Sequence, residues 1–94
     1  MITEIADVVI SLNGRDEGKR FVVVATEDEY SFLADGKNRK IDKPKKKKNK
    51  HLCLEEKALG PIAAKLTSGE KVTNSEIRRA LAAYAAARGK KGGM

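Results

Sequence analysis

"DVVISLNGRDEGKRFVVVATED", residues 7 to 28, holds two β-branched runs, Val8-Val9-Ile10-Ser11-Leu12 and Phe21-Val22-Val23-Val24-Ala25, on either side of a polar connection. Runs of this composition and length favour extended chain over helix. The connection, "NGRDEGKR" at 13 to 20, contains Gly14 and Gly18. Both can take a positive φ without a Cβ clash, so the chain turns back tightly while its charged side chains face water. An antiparallel strand pair is expected, and the fold is read outward from it.

After the acidic turn Glu27-Asp28-Glu29, "YSFLA" at 30 to 34 is a third strand candidate, followed by Asp35-Gly36. Asp-Gly favours a two-residue type I′ hairpin, so residues 37 to 41 are expected to return as strand four, with Tyr30 opposite Ile41 and Phe32 opposite Arg39. Residues 43 to 50 then form a basic loop, and "HLCLE" at 51 to 55 closes the β-structure with Leu52 and Leu54 on one side. Gly60-Pro61 breaks the chain and opens a short helix with Ile62 and Leu66 at i, i+4 and Gly69 as its stop. "TNSE" at 73 to 76 is a capping box, and Ile77, Leu81 and Tyr84 form a stripe on a helix expected from 74 to 88. Residues 1–55 thus make a β domain, 56–89 a helical extension packed on it, and 90–94 a disordered tail.

The 94 residues suffice for one small domain, and 35% of them are charged, against about a quarter in ordinary domains. Between Lys37 and Lys50 there are nine basic residues and one acid, a segment net of +8 in a chain of net +7, which leaves −1 for the other 80 residues. Charge concentrated in this way calls for a localised anionic partner. Cys53 is the only cysteine, which excludes an intramolecular disulfide and a multi-thiolate zinc site. Without a signal-peptide pattern, a reducing cytoplasmic setting is the default expectation. The longest apolar run, residues 80 to 87, is far below the ~18 residues of a membrane span.

The residues Val8-Val9-Ile10-Ser11, Gly14-Arg15-Asp16, Gly18-Lys19, Phe21-Val22-Val23-Val24, Ala34-Asp35-Gly36-Lys37, Arg39-Lys40, Lys43-Pro44-Lys45 and His51-Leu52 resemble the KOW-domain RNA-binding proteins. Within them the chain is similar to a KOW-type large-subunit ribosomal protein of archaea and eukaryotes. The resemblance spans residues 7 to 52. It implies a small SH3-like barrel of about five strands; with the one short and one longer α-helix read above, which lie outside the resemblance, the expected fold is mostly β with C-terminal helices. It also implies RNA binding in a ribosomal or transcription-coupled setting, with a KOW loop at Gly14, Arg15, Asp16, Gly18, Lys19 and Arg20. Ala6 departs from the pattern, standing where a glycine leads into the first strand, and Asn38 replaces an apolar residue.

The candidate RNA contacts are Arg15, Lys19, Arg20, Lys37, Arg39, Lys40, Lys43, Lys45, Lys46, Lys47, Lys48, Lys50 and His51, with Gly14, Gly18, Asp35 and Gly36 as structural turns. Lysines are point charges that give affinity without base specificity; the guanidinium groups of Arg15, Arg20 and Arg39 can fork onto phosphates or stack. Tyr30 and Phe32 can stack if exposed, but their ordinary reading is core. His51 and Cys53 are too few for a tetrahedral metal site, and Cys53 is read as core. Asp16, Glu17, Asp28 and Glu29 are read as loop solubilisers. Two functions stay open: a noncatalytic RNA-binding module on ribosomal RNA, beside ribosomal proteins, and an adaptor for an acidic protein partner. No nucleophile–base pair or P-loop points to catalysis, and no cofactor, small-molecule substrate or membrane is expected of this monomer.

Overall fold

The computed structural model describes residues 3 to 92. Five strands, β1 (Val8–Ser11), β2 (Arg20–Glu27), β3 (Tyr30–Ala34), β4 (Lys45–Lys48) and β5 (Leu52–Glu56), precede two helices, α1 (Gly60–Ser68) and α2 (Asn74–Gly92). The strands form one antiparallel sheet in the order β4-β3-β2-β1-β5. This is the mostly β architecture with one short and one longer C-terminal helix that the sequence predicts, and it is consistent with the small SH3-like barrel that the resemblance implies.

Strand β2 explains why its apolar run is unbroken. Phe21 and Val23 join Val9, Leu33 and Leu52 in a core inside the curved sheet. Val22, on the opposite side, joins Ile62, Val72 and Ile77 in a second core beneath the helices, with Val24, Ile41 and Leu81 packed against it. A strand covered on both faces loses the alternation of apolar and polar residues. The register of β2 against β3 shifts between Val23 and Ala25, so Ala25 pairs with Phe32 and Glu27 with Tyr30. One extra residue in a strand exchanges the faces of everything beyond it. Glu27 is thereby turned to the outer face.

The fourth strand is not where the Asp-Gly signal put it. Residues 37–41 are loop, and β4 is the lysine run itself, with Tyr30 opposite Lys48 and Phe32 opposite Lys46. Asp35 and Gly36 do start a turn, but the Asp35 carboxylate accepts the amides of Lys37 and Arg39 at 2.9 and 2.8 Å. This Asx-type bonding opens a wide loop instead of a two-residue hairpin. Its far end is drawn to the helices: the Ile41 amide donates to Asn74 Oδ1 at 2.8 Å and Arg78 donates to the Gly36 carbonyl at 2.5 Å.

The helix signals fare better. Thr73 and Glu76 exchange the two bonds of a capping box at 3.1 and 3.2 Å, and Ile77 is fully buried. Helix α2 continues through Gly89 to Gly92, past the stop and into the expected tail; Gly93 and Met94 lie outside the described residues. No helix among the described residues is long and apolar enough to cross a membrane. Ala6 is buried with φ 76, so the backbone demand for a left-handed residue ahead of β1 is present although alanine meets it. The cost of about 1–2 kcal/mol is offset by a buried methyl, about 0.8 kcal/mol, and by the smaller entropy loss of alanine, about 0.4–1 kcal/mol.

Glu76 also bonds Lys65 of α1 at 2.7 Å, joining the helices. That hydrogen bond, followed by the one from the Thr73 amide, holds the Glu76 carboxyl below its ordinary range. A carboxyl whose pKa is lower in the folded state stabilises above its unfolded pKa and ceases to do so as pH falls through the folded value. The melting temperature is therefore expected to drop in acid, below about pH 4.3, and to drop less steeply in Glu76→Gln. Parallel pH profiles of the two proteins in thermal melts would contradict this.

Candidate functional site

The site is assembled from three segments that meet at one side of the sheet. The β1–β2 loop is closed by its own backbone, with the Gly18 amide on the Ser11 carbonyl at 2.7 Å and the Lys19 amide on the Asp16 carbonyl at 2.9 Å. Asp16 points inward and is 6% exposed. Its carboxylate accepts both Nε and Nη2 of Arg39, at 3.2 and 2.8 Å, and Lys19 Nζ lies 3.8 Å away. Asp16 is thus no solubiliser: it clamps the 35–44 loop to the β1–β2 loop.

The lysine strand is the second segment. Lys45–Lys48 is strand, which corrects the expectation of a basic loop over the whole of 43–50. Side chains alternate across it, so Lys46 and Lys48 share the outer face with Phe32 and Tyr30, while Lys45 and Lys47 stand on the side of Leu33 and Ser31. Lys47 Nζ reaches across to donate to the Asn13 carbonyl at 2.7 Å. His51 Nδ1 is 2.8 Å from Asn13 Nδ2. Lys47 and His51 therefore tie the strand and the turn after it to the glycine loop. On the outer face Lys46 Nζ bonds Glu27 at 3.0 Å, and this hydrogen bond and charge raise the Lys46 pKa; Lys46 is cationic throughout the biological pH range.

The turn that follows is pinned from inside. Asn49 is buried, its amide donates to the Glu29 carbonyl at 2.7 Å, and its Oδ1 accepts from Ser31. Nothing local in the sequence marks Asn13 or Asn49 as organising residues, because their partners lie tens of residues away.

The third segment is the 35–44 loop, where Lys37, Lys40 and Lys43 are exposed and a hollow of about 420 Å³ is lined by Asn38, Arg39, Lys40, Asp42 and Lys43. Among the described residues, no carboxylate pairs with Arg15, Lys37, Lys40, Lys43, Lys45, Lys48 or Lys50. Arg39 and Arg20 differ from these. Arg20 Nε bonds Glu55 of β5 at 2.5 Å and its guanidinium lies 5.5 Å from the Tyr84 ring centroid, so it joins α2 to the sheet and leads away from the lysines. Cys53, read as core, is exposed. Among the described residues no group of three or more His, Cys, Asp or Glu is placed to hold a metal ion.

No family model matches this chain, and no curated protein matches it. The fold and site define a small antiparallel β domain whose lysine-bearing edge strand is joined to two basic loops, through Lys47 and Asn13 to the β1–β2 loop and from there through Asp16 and Arg39 to the 35–44 loop.

Proposed function

We propose that this chain is a noncatalytic RNA-binding protein of the KOW type, cytoplasmic, engaging ribosomal RNA or ribosome-associated RNA with the β4 strand, the 35–44 loop and the β1–β2 loop. The observation that carries the reading is the ordered lysine strand, in which Lys46 alone has a carboxylate partner among the described residues. Lysines on an edge strand also discourage edge-to-edge pairing of sheets. That purpose is met by one or two charges, and it gives no reason for Arg15, Lys37, Lys40 and Lys43 to gather on the adjoining loops. A polyanion does: each neutralised phosphate releases counterions, and lysines already held on a scaffold lose little entropy on binding.

The expected result is a steep salt dependence for a ribosomal RNA fragment, with log Kd against log salt changing by about 0.7–0.9 per phosphate engaged, hence a slope of about 3 or more for four or more contacts. A slope near zero overturns the proposal. A second reading, an adaptor for an acidic protein, is favoured by the groove between α1 and α2, whose lining of Leu59, Pro61, Ile62, Ala80, Ala83 and Tyr84 also holds Arg79 and Glu76. Co-sedimentation with ribosomal particles that survives nuclease digestion decides for the adaptor; release by nuclease decides for RNA.

A further inference from the structure

The sequence contains two Tyr and two Phe. Phe21 fills the inner core, and Tyr84 lies on α2 against Arg20. The other two, Tyr30 and Phe32, belong to neither core cluster. They stand half-buried on the outer face of β3, two residues apart and on the same side of the strand. The Tyr30 hydroxyl has no hydrogen-bond partner among the described residues. Two rings that contribute to no core and anchor no bond need another explanation in so small a domain.

Their neighbours supply it. Lys46 Nζ is 4.6 Å from the Tyr30 centroid and 5.8 Å from that of Phe32, and Lys48 Nζ is 5.9 Å from Tyr30. The register places both ammonium groups on the ring side of the sheet, and the shift in β2 places Glu27 there to hold Lys46. We propose that this outer face of β3 and β4 is a stacking platform for unpaired nucleobases, with Tyr30 and Phe32 as the ring faces and Lys46 and Lys48 as contacts to the flanking phosphates. The proposal rests on the RNA-binding reading above and names the part of the RNA this face takes: single-stranded or looped segments. Bases in a duplex are stacked on one another and offer no free π-face; an unpaired base does, and aromatic side chains on an open sheet surface hold it.

What now covers the rings is exchangeable. Lys46 is about half exposed, as is its Glu27 partner. Exposed ion pairs and exposed cation–π contacts are both weaker than the stacking of a base on an aromatic ring. A base arriving at Tyr30 displaces the Lys46 ammonium from the ring, and the lysine turns to the phosphate that arrives with it. The same two groups thus serve the free and the bound states.

The test compares a fluorescein-labelled oligouridine with a perfectly paired RNA duplex of equal length, using the full chain. The variant Tyr30→Leu/Phe32→Leu keeps apolar side chains and removes both π-faces. Its affinity for oligouridine is expected to fall by about 30-fold or more, with duplex affinity unchanged within about twofold. Equal loss on both RNAs, or no loss on oligouridine, overturns the platform while leaving RNA binding by the lysines intact. Failure of the wild-type chain to bind either RNA overturns the RNA reading and the platform together. A second measurement does not depend on the leucine variant folding. In a Tyr84→Phe background Tyr30 is the only tyrosine, and oligouridine is expected to quench its emission. Absent quenching at saturating oligouridine, or equal quenching by polyglutamate, overturns the assignment.

Discussion

Replacing Gly36 with alanine is expected to lower the melting temperature by at least about 10 °C. Gly36 has φ +77, and a Cβ built there would lie 2.3 Å from the Asn74 carbonyl oxygen and 3.0 Å from Arg78 Cγ. Both lie in the first two turns of α2, and the nearer is backbone, which cannot swing away. The left-handed dihedral alone costs about 1–2 kcal/mol for alanine, and forcing an extra carbon into packed surroundings adds about 1–3 kcal/mol. Gly18→Ala is the internal control. Its φ is +82, yet nothing lies within 4 Å of the added carbon, so it carries the dihedral cost only. Thermal melts followed by circular dichroism decide: if the two variants are equally stable, the tight seating of α2 on the 35–44 loop does not exist in solution. Because Arg78 and Asn74 hold that loop by Gly36 and Ile41, Gly36→Ala is also expected to weaken RNA binding through Lys37, Lys40 and Lys43.

The quadruple variant Lys45→Gln/Lys46→Gln/Lys47→Gln/Lys48→Gln is expected to lose about 10²- to 10³-fold in RNA affinity near 0.1 M salt, and its log–log salt slope is expected to flatten by about 3. Glutamine removes the charge and keeps a hydrogen-bonding end on an unbranched stem, one atom shorter than that of lysine. The pairing of β4 with β3 uses backbone groups, and the lost Lys46–Glu27 and Lys47–Asn13 bonds are exposed ones set against the relieved repulsion of four like charges, so the strand is expected to persist and the melting temperature to change little. Filter binding at several salt concentrations reads the slope directly. Unchanged affinity at low salt removes the lysine strand from the mechanism. Splitting the four by face adds information: Lys46 and Lys48 act beside the rings, whereas Lys47 acts beside the glycine loop.

Strands β1, β2, β3 and β5 and both helices were legible because each carries a local signal: a β-branched run in β1 and β2, alternating aromatic residues in β3 and alternating leucines in β5, the Gly-Pro break at α1 and the capping box at α2. Strand β4 was not, for a physical reason. Four identical polar residues have no period, and what makes this segment a strand lies in its partner β3, with whose backbone it pairs from Tyr30 to Leu33. The Asp-Gly dipeptide correctly marked a turn but not its span, which is set by the Asp35 carboxylate and by α2 more than thirty residues onward. Likewise the role of Asp16 depends on Arg39, and the outer placement of Glu27 depends on the irregularity at Val24; neither leaves a trace in adjacent residues. Cys53 was a different kind of miss. Its alternation with Leu52 and Leu54 places it opposite the buried side, and strand geometry, not the tendency of cysteine to be interior, decides its exposure.

The division of β2 between two cores bears on how this chain can be cut. A fragment ending after β5 would carry Val22 and Val24 naked to water along the middle of its sheet, inviting two such fragments to clasp each other. The helices are therefore no removable appendage, and a shorter protein built on the same five strands would have to exchange those valines for threonine or a charged residue before it could live alone.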